Sequence, residues 1–205
     1  MGAAAVPTES LVSLQEYLAA EEKSIVRHEY WAGRVYAMAG GTRQHSQIAF
    51  NFSGSLYMHL RGKRCRGADS NQRVRIEATD VQRYPDVSVV CPPERYSEVD
   101  QNALLNPALI VEVLSPSTER YDRNEKFEHY GLIPDLRDYV LVSQERIFVE
   151  HFQRADDGAW ILRRYNRRED VLRLENIEIE VPLAEIYDGM ELPSGLVKIG
   201  QEPKP

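Results

Sequence analysis

Two short apolar segments, each with one carboxylate inside it, constrain this chain more than any other feature. They are Tyr84-Pro85-Asp86-Val87-Ser88-Val89-Val90-Cys91 and, roughly twenty residues on, Ala108-Leu109-Ile110-Val111-Glu112-Val113-Leu114-Ser115-Pro116-Ser117. Runs of β-branched and aliphatic residues bounded by Pro, Ser and Asn read as strands covered on both faces. An ionised carboxylate loses its hydration in such a strand and must be paired, metal-bound or neutralised. If the strands are neighbours, Asp86 and Glu112 converge, and two unit charges about 4 Å apart repel by roughly 4 kcal/mol at an effective dielectric near 20. A divalent cation reverses that sign, and Mg²⁺ prefers a few carboxylates with water and phosphate oxygens completing its shell. The residues alone leave two other outcomes open: each carboxylate meets an arginine, or sits just outside its strand in solvent.

The rest of the chain gives these strands a setting. Ser13-Leu14-Gln15-Glu16 has the pattern of a capping box, so a short helix is expected over about 14–22. Residues 27–38 alternate around Ala32-Gly33 as a hairpin. Ile48, Phe52 and Leu56 stand at i, i+4 and i+8, which predicts a helix over 43–61. Strands follow near 63–66 and 73–77, and 92–106 reads as a surface loop. After Ser115-Pro116-Ser117-Thr118 a helix runs to Tyr130 and stops at Gly131. Residues 138–143, 146–153 and 159–166 are strands, the last two joined by a hairpin at Asp156-Asp157-Gly158. Two further strands and a helix near 183–187 complete the pattern, with no repeat and no linker. The expectation is one domain over 13–190, with tails at 1–12 and 191–205 and the last five residues disordered.

Several function classes drop out. No apolar run is long enough to span a bilayer, and the start of the chain lacks the basic and apolar regions of a signal peptide, so a cytoplasmic protein is expected. Two cysteines, Cys65 and Cys91, exclude a disulfide scaffold, and a reduced pair is expected. The five histidines have no zinc-site spacing. A net charge of −7 works against non-specific DNA binding, although residues 61–66 and 163–168 form local basic clusters.

The pair formed by Pro85-Asp86 and Glu112 resembles the core of the PD-(D/E)XK nuclease superfamily. The longer string from Glu112-Val113-Leu114-Ser115-Pro116-Ser117-Thr118 through Tyr121-Asp122, Lys126 and Tyr130 to Tyr139-Val140-Leu141-Val142 resembles its Uma-two branch, a large bacterial family grouped with restriction endonucleases. The similarity extends from about Ser13 to about Tyr187. It implies an α/β (mixed α+β) restriction endonuclease-like core: a central mixed sheet flanked by helices, with an N-terminal helix-hairpin and extra C-terminal strands. It implies a Mg²⁺- or Mn²⁺-dependent endonuclease acting on DNA. Cutting two strands commonly needs two sites, which makes a homodimer a candidate assembly, but nothing in the residues specifies an interface. Asp86 and Glu112 would be catalytic metal ligands and Glu29 a third carboxylate. His45, in the first turn of its helix, and Arg123 would contact substrate.

One position departs from the superfamily pattern. Two residues after the second acid, where a lysine is usual, stands Leu114. It shares a strand face with Glu112 but has no proton to give. Either the site is dead and the chain is a nucleic-acid or protein-binding module, or the cation comes from elsewhere. Lys126 is the natural substitute, because the resembled family carries a lysine there and Asp122, Lys126 and Tyr130 line one helix face. An Asp122–Lys126 surface pair of about 0.2–0.5 kcal/mol is the plainer alternative.

Overall fold

The computed structural model describes residues 11–38, 40–116 and 118–193. In chain order it contains α1 (Leu14–Glu21), β1 (His28–Trp31), β2 (Arg34–Ala37), α2 (Arg43–Leu60), β3 (Arg66–Asp69), β4 (Arg73–Ile76), β5 (Val81–Arg83), β6 (Val87–Val90), β7 (Ala103–Leu104) and β8 (Pro107–Leu114). An interrupted helix over 119–130 follows, then β9 (Asp138–Ser143), β10 (Val149–Arg154), β11 (Trp160–Tyr165), β12 (Val171–Leu174), β13 (Ile179–Pro182) and a short helix Leu183–Ile186.

The Glu112 strand lies inside a six-stranded sheet of order β11-β10-β9-β8-β6-β3. Its pairing with β9 is parallel and its pairing with β6 antiparallel, so the sheet is mixed. Because side chains alternate, β8 feeds two cores. Leu109, Val111 and Val113 pack with Ile48, Phe52 and Leu56 of α2 and with the β12–β13 hairpin. Ile110 and Leu114 face the other way, into a second core with Tyr130, Tyr139 and Leu141 and with Val74, Ile76 and Val81 from a five-stranded sheet of order β2-β1-β5-β4-β7. Glu112 falls between Ile110 and Leu114 on that second face. This is the expected mixed α+β architecture, with α1 and the β1–β2 hairpin at the N-terminal side and β10–β13 as the additional strands.

Local chemistry fixes the elements that bracket the site. Ser13 and Glu16 form the capping box that starts α1. Ala32 and Gly33, both with positive φ (44° and 88°), turn the hairpin. Thr42 caps α2 by accepting a hydrogen bond from the His45 backbone N–H at 3.1 Å, which sets the first helical turn and with it the His45 ring.

Four features differ from expectation. The stretch 92–106 is not merely a surface loop: β7 pairs with β4 in parallel and is buried, while Asp100 meets Arg73 at 3.3 Å and accepts from Gln82 at 2.9 Å. Asp100 is buried and bonds β4 and β5 rather than water, while Glu94, Arg95, Glu98, Gln101 and Asn102 remain exposed. The strand placed near 63–66 begins at Arg66, and Val81–Arg83 is a separate strand. The 119–130 helix is broken by a π-helical stretch, Asp122–Lys126. Finally, Cys65 and Cys91 are joined by a disulfide, not reduced. The β3–β6 register pairs Arg66 with Val90, so the next residues outward face each other, with a Cα–Cα distance of 4.1 Å. The expected tails lie mostly outside the described residues; at their inner ends Val12 donates to Gly33 and Ile147 donates to Pro193.

Phe52 is fully buried between α2 and the sheet. Phe52→Ala should lower unfolding stability by about 3–5 kcal/mol, read as a shift in the urea midpoint.

Candidate active site

The site begins with strand register. Val87 pairs with Val111 in the antiparallel β6–β8 ladder, so Asp86, one residue before β6, comes opposite Glu112. Both carboxylates lie on the face turned away from α2's core side chains. Asp86 is anchored at both oxygens: Oδ2 accepts the Val113 backbone N–H at 2.7 Å, and Oδ1 meets His45 Nε2 at 2.9 Å. The helix start thus delivers a histidine onto the first carboxylate.

The 119–130 helix supplies the rest. Lys126 Nζ lies 3.1 Å from Glu112 Oε2, 3.0 Å from Asp122 Oδ1 and 3.9 Å from Glu29 Oε1. Tyr130 donates its hydroxyl to Glu112 Oε1 at 3.2 Å. The π-helical stretch widens the helix where Asp122 and Lys126 turn inward; both are buried. The Asp122 carbonyl accepts the Tyr139 hydroxyl of β9 at 2.9 Å, which ties the widened turn to the sheet.

A second cation, Arg83, was not among the residues singled out in the sequence. It is 1% exposed and donates to Glu29 at 2.7 Å, to the Tyr121 hydroxyl and to His129 Nδ1 at 3.0 Å. Its sequence signal is weak, because Val81-Gln82-Arg83-Tyr84 is half polar and does not read as buried. It holds Glu29 beside Lys126.

Four carboxylates, Glu29, Asp86, Glu112 and Asp122, therefore surround two permanent cations. The imbalance appears in the titration of Glu112, which burial pushes up to about 8; Lys126 pulls it down, while Asp86, Asp122 and Glu29 push it further up. Burial alone would lower Lys126, but Glu112, Glu29 and Asp122 outweigh it and hold the ammonium well above its ordinary range. Burial also acts to lower His45, and the hydrogen bond and charge of Asp86 overcome it to leave the imidazole raised.

Among the described residues no three His, Cys, Asp or Glu side chains are grouped as a metal cage. Asp86 and Glu112 nevertheless fit Mg²⁺, which is held by one or two carboxylates with water and phosphate oxygens supplying the rest. Burial raises Glu112 most, and a cation there would offset both that burial and the like charge of Asp86, Asp122 and Glu29. Of the residues picked from the sequence, Asp86, Glu112, Lys126, Glu29 and His45 come together. Arg123 does not join them, since its ion pairs run to Glu119 at 2.7 Å and to Glu150. Leu114 is buried in the apolar core beside the site.

The family model described as putative restriction endonuclease, Uma2, matches residues 14–184, which is most of the chain. The chain belongs to the Uma2 family. Two uncharacterized proteins of Synechocystis sp. are similar to it along nearly their whole length: one is 38% identical over 179 residues, covering 87% of this chain and 93% of its own. The other is 33% identical over 181 residues, covering 88% and 98%. The crystal structure of a putative nuclease belonging to DUF820 from Anabaena variabilis has the same fold, with a TM-score of 0.69 at 16% identity, over 85% of this chain and 97% of that one. Uma2 membership agrees with the resemblance carried by the string from Glu112 to Val142.

In this Uma2 protein the raised Glu112 makes stability depend on pH. A glutamate with an ordinary value of 4.5 in the unfolded chain and about 8 in the fold binds its proton more tightly when folded. Folding is then favoured most below the unfolded value, and stability falls as pH rises toward the folded one. Lys126 stays charged across this window and adds no slope. Urea midpoints in EDTA should therefore fall between about pH 5 and about pH 8, and Glu112→Gln should flatten that decline.

Proposed function

We propose that this Uma2 chain is a metal-dependent endonuclease that hydrolyses phosphodiester bonds in DNA. The observation that carries the reading is the Lys126 ammonium 3.1 Å from Glu112, on a strand whose usual lysine position is Leu114. The neighbouring helix brings a cation to Glu112. Family membership and the nuclease-like fold support the same class of chemistry.

Mg²⁺ or Mn²⁺ held by Asp86 and Glu112 would supply neutralisation of phosphoryl charge and acidification of a water. The chain's own groups do the remaining work. Glu112 must release its proton to act as a ligand; without a cation its carboxyl is half ionised near pH 8, and a cation bound there would draw the proton off at lower pH. Tyr130 keeps that carboxylate oriented through Oε1. Lys126 is too strongly charged to serve as a base, and its role is to stabilise negative charge developing on the phosphoryl group. Asp122 and Glu29 hold the ammonium in place, and Arg83 holds Glu29. His45 fixes Asp86, with the Val113 N–H as its second restraint.

The test is incubation of purified protein with supercoiled plasmid, linear duplex or single-stranded DNA in Mg²⁺, Mn²⁺ or EDTA. Cleavage should need the metal, and Asp86→Ala should slow it by about 100-fold or more. Lys126→Arg should slow it by roughly 10-fold or more, because a guanidinium differs in reach and hydrogen-bond geometry. A folded protein that cleaves none of these substrates would overturn the proposal in favour of a binding module, the reading favoured by the loss of lysine at position 114.

A further inference from the structure

We infer that the outer face of α2 is the interface through which two copies of this chain pair. The inner face of α2, with Ile48, Phe52 and Leu56, is buried against the sheet. On the opposite face Phe50, Tyr57 and Met58 are 75%, 67% and 61% exposed. They surround Gly54 at i−4, i+3 and i+4, so the four residues form one patch. Apart from its own helix backbone, a Cβ built on Gly54 would meet no atom within 4 Å.

Three properties of this face specify a second copy. The first is charge. The chain is 28% charged, yet from Gln44 to Leu60 it has no Asp, Glu, Lys or Arg. A solvated helix face is normally charged, and the centre of an interface is depleted in charge. A nucleic-acid partner would need cations here to meet its phosphates, and between Arg43 and Arg61 there are none.

The second is area. With about 150–250 Å² per large side chain, the exposed parts of Phe50, Tyr57 and Met58 come to roughly 400 Å² of mainly apolar surface per copy. Two copies bury about 800 Å², close to the apolar share of a standard interface of about 1,600 Å². The third is shape. A two-fold crossing at Gly54 lets the helices approach where there is no side chain, and sets Phe50 of each copy against Tyr57 and Met58 of the other. The patch is complementary to itself.

This inference is independent of the nuclease reading. Sedimentation velocity of the full chain from about 1 to about 200 µM should show the 23.5 kDa species converting to one of twice that mass. Phe50→Glu and Gly54→Gln should each weaken dimerisation at least about 10-fold with unchanged circular dichroism. Should Phe50→Glu fail to fold, Gly54→Gln still decides, because its side chain enters open space and glutamine favours a helix more than glycine does. A wild-type chain that stays at 23.5 kDa throughout, or a dimer unaffected by both substitutions, overturns the inference. So does a monomer whose binding to single-stranded DNA is lost in Phe50→Glu, which would assign the face to nucleic acid.

Discussion

The site depends on a lysine ammonium buried against carboxylates. Lys126 lies within about 3 Å of both Glu112 and Asp122, and all three are buried. Desolvating these groups costs several kcal/mol per ion, and only close geometry with further hydrogen bonds offsets it. Tyr130 provides such a bond to Glu112, and Tyr139 fixes the widened helical turn through the Asp122 backbone carbonyl. Deleting the cation would leave Asp122 and Glu112 as uncompensated buried acids, a loss of about 3–5 kcal/mol in comparable cases. Position 126 is therefore structural and electrostatic at once, and a variant there has to be read with its folding measured alongside.

That interaction explains why the surrounding elements have the form they do. Because β8 alternates its side chains between two cores, it can present one acid to the second core while staying hydrophobic on the α2 side. Asp86 comes opposite it through strand pairing, and the π-helical stretch turns Asp122 and Lys126 inward together. Arg83 extends the same logic outward: it holds Glu29 near the ammonium and is held in turn by Tyr121 and His129. Burial and the Arg83 charge keep the His129 imidazole below its ordinary value, which suits its role as acceptor of that guanidinium's N–H.

Much of this was legible in the residues. The two strands and their carboxylates announce themselves because a charge in an aliphatic run is costly. The period of α2 follows from Ile48, Phe52 and Leu56, and Lys126 is implied by the family resemblance once Leu114 departs from the superfamily pattern. Other features were hidden for physical reasons. The π-helical stretch has no composition signal, since it depends on tertiary partners such as Tyr139. β7 is a two-residue strand within a polar segment whose buried Asp100 is paired by Arg73 and Gln82, distant in sequence, so it reads as loop. The Cys65–Cys91 bridge follows from the β3–β6 register, which spacing alone does not give. Arg83 was hidden because Val81-Gln82-Arg83-Tyr84 is half polar, and its burial follows from the pairing of β5 with β1 and β4. Arg123 illustrates the reverse case, a basic residue near the site in sequence whose partners, Glu119 and Glu150, draw it elsewhere.

The central claim is that the helix has taken over the strand's lysine. DNA cleavage by Lys126→Met, with and without a compensating Leu114→Lys, tests it most directly, with folding of each variant checked by circular dichroism. Position 114 shares a face with Glu112 two residues away, so a lysine there can approach the same carboxylate. The account predicts that Lys126→Met abolishes cleavage and that Leu114→Lys restores a measurable part of it. Cleavage by Lys126→Met at the wild-type rate would contradict it.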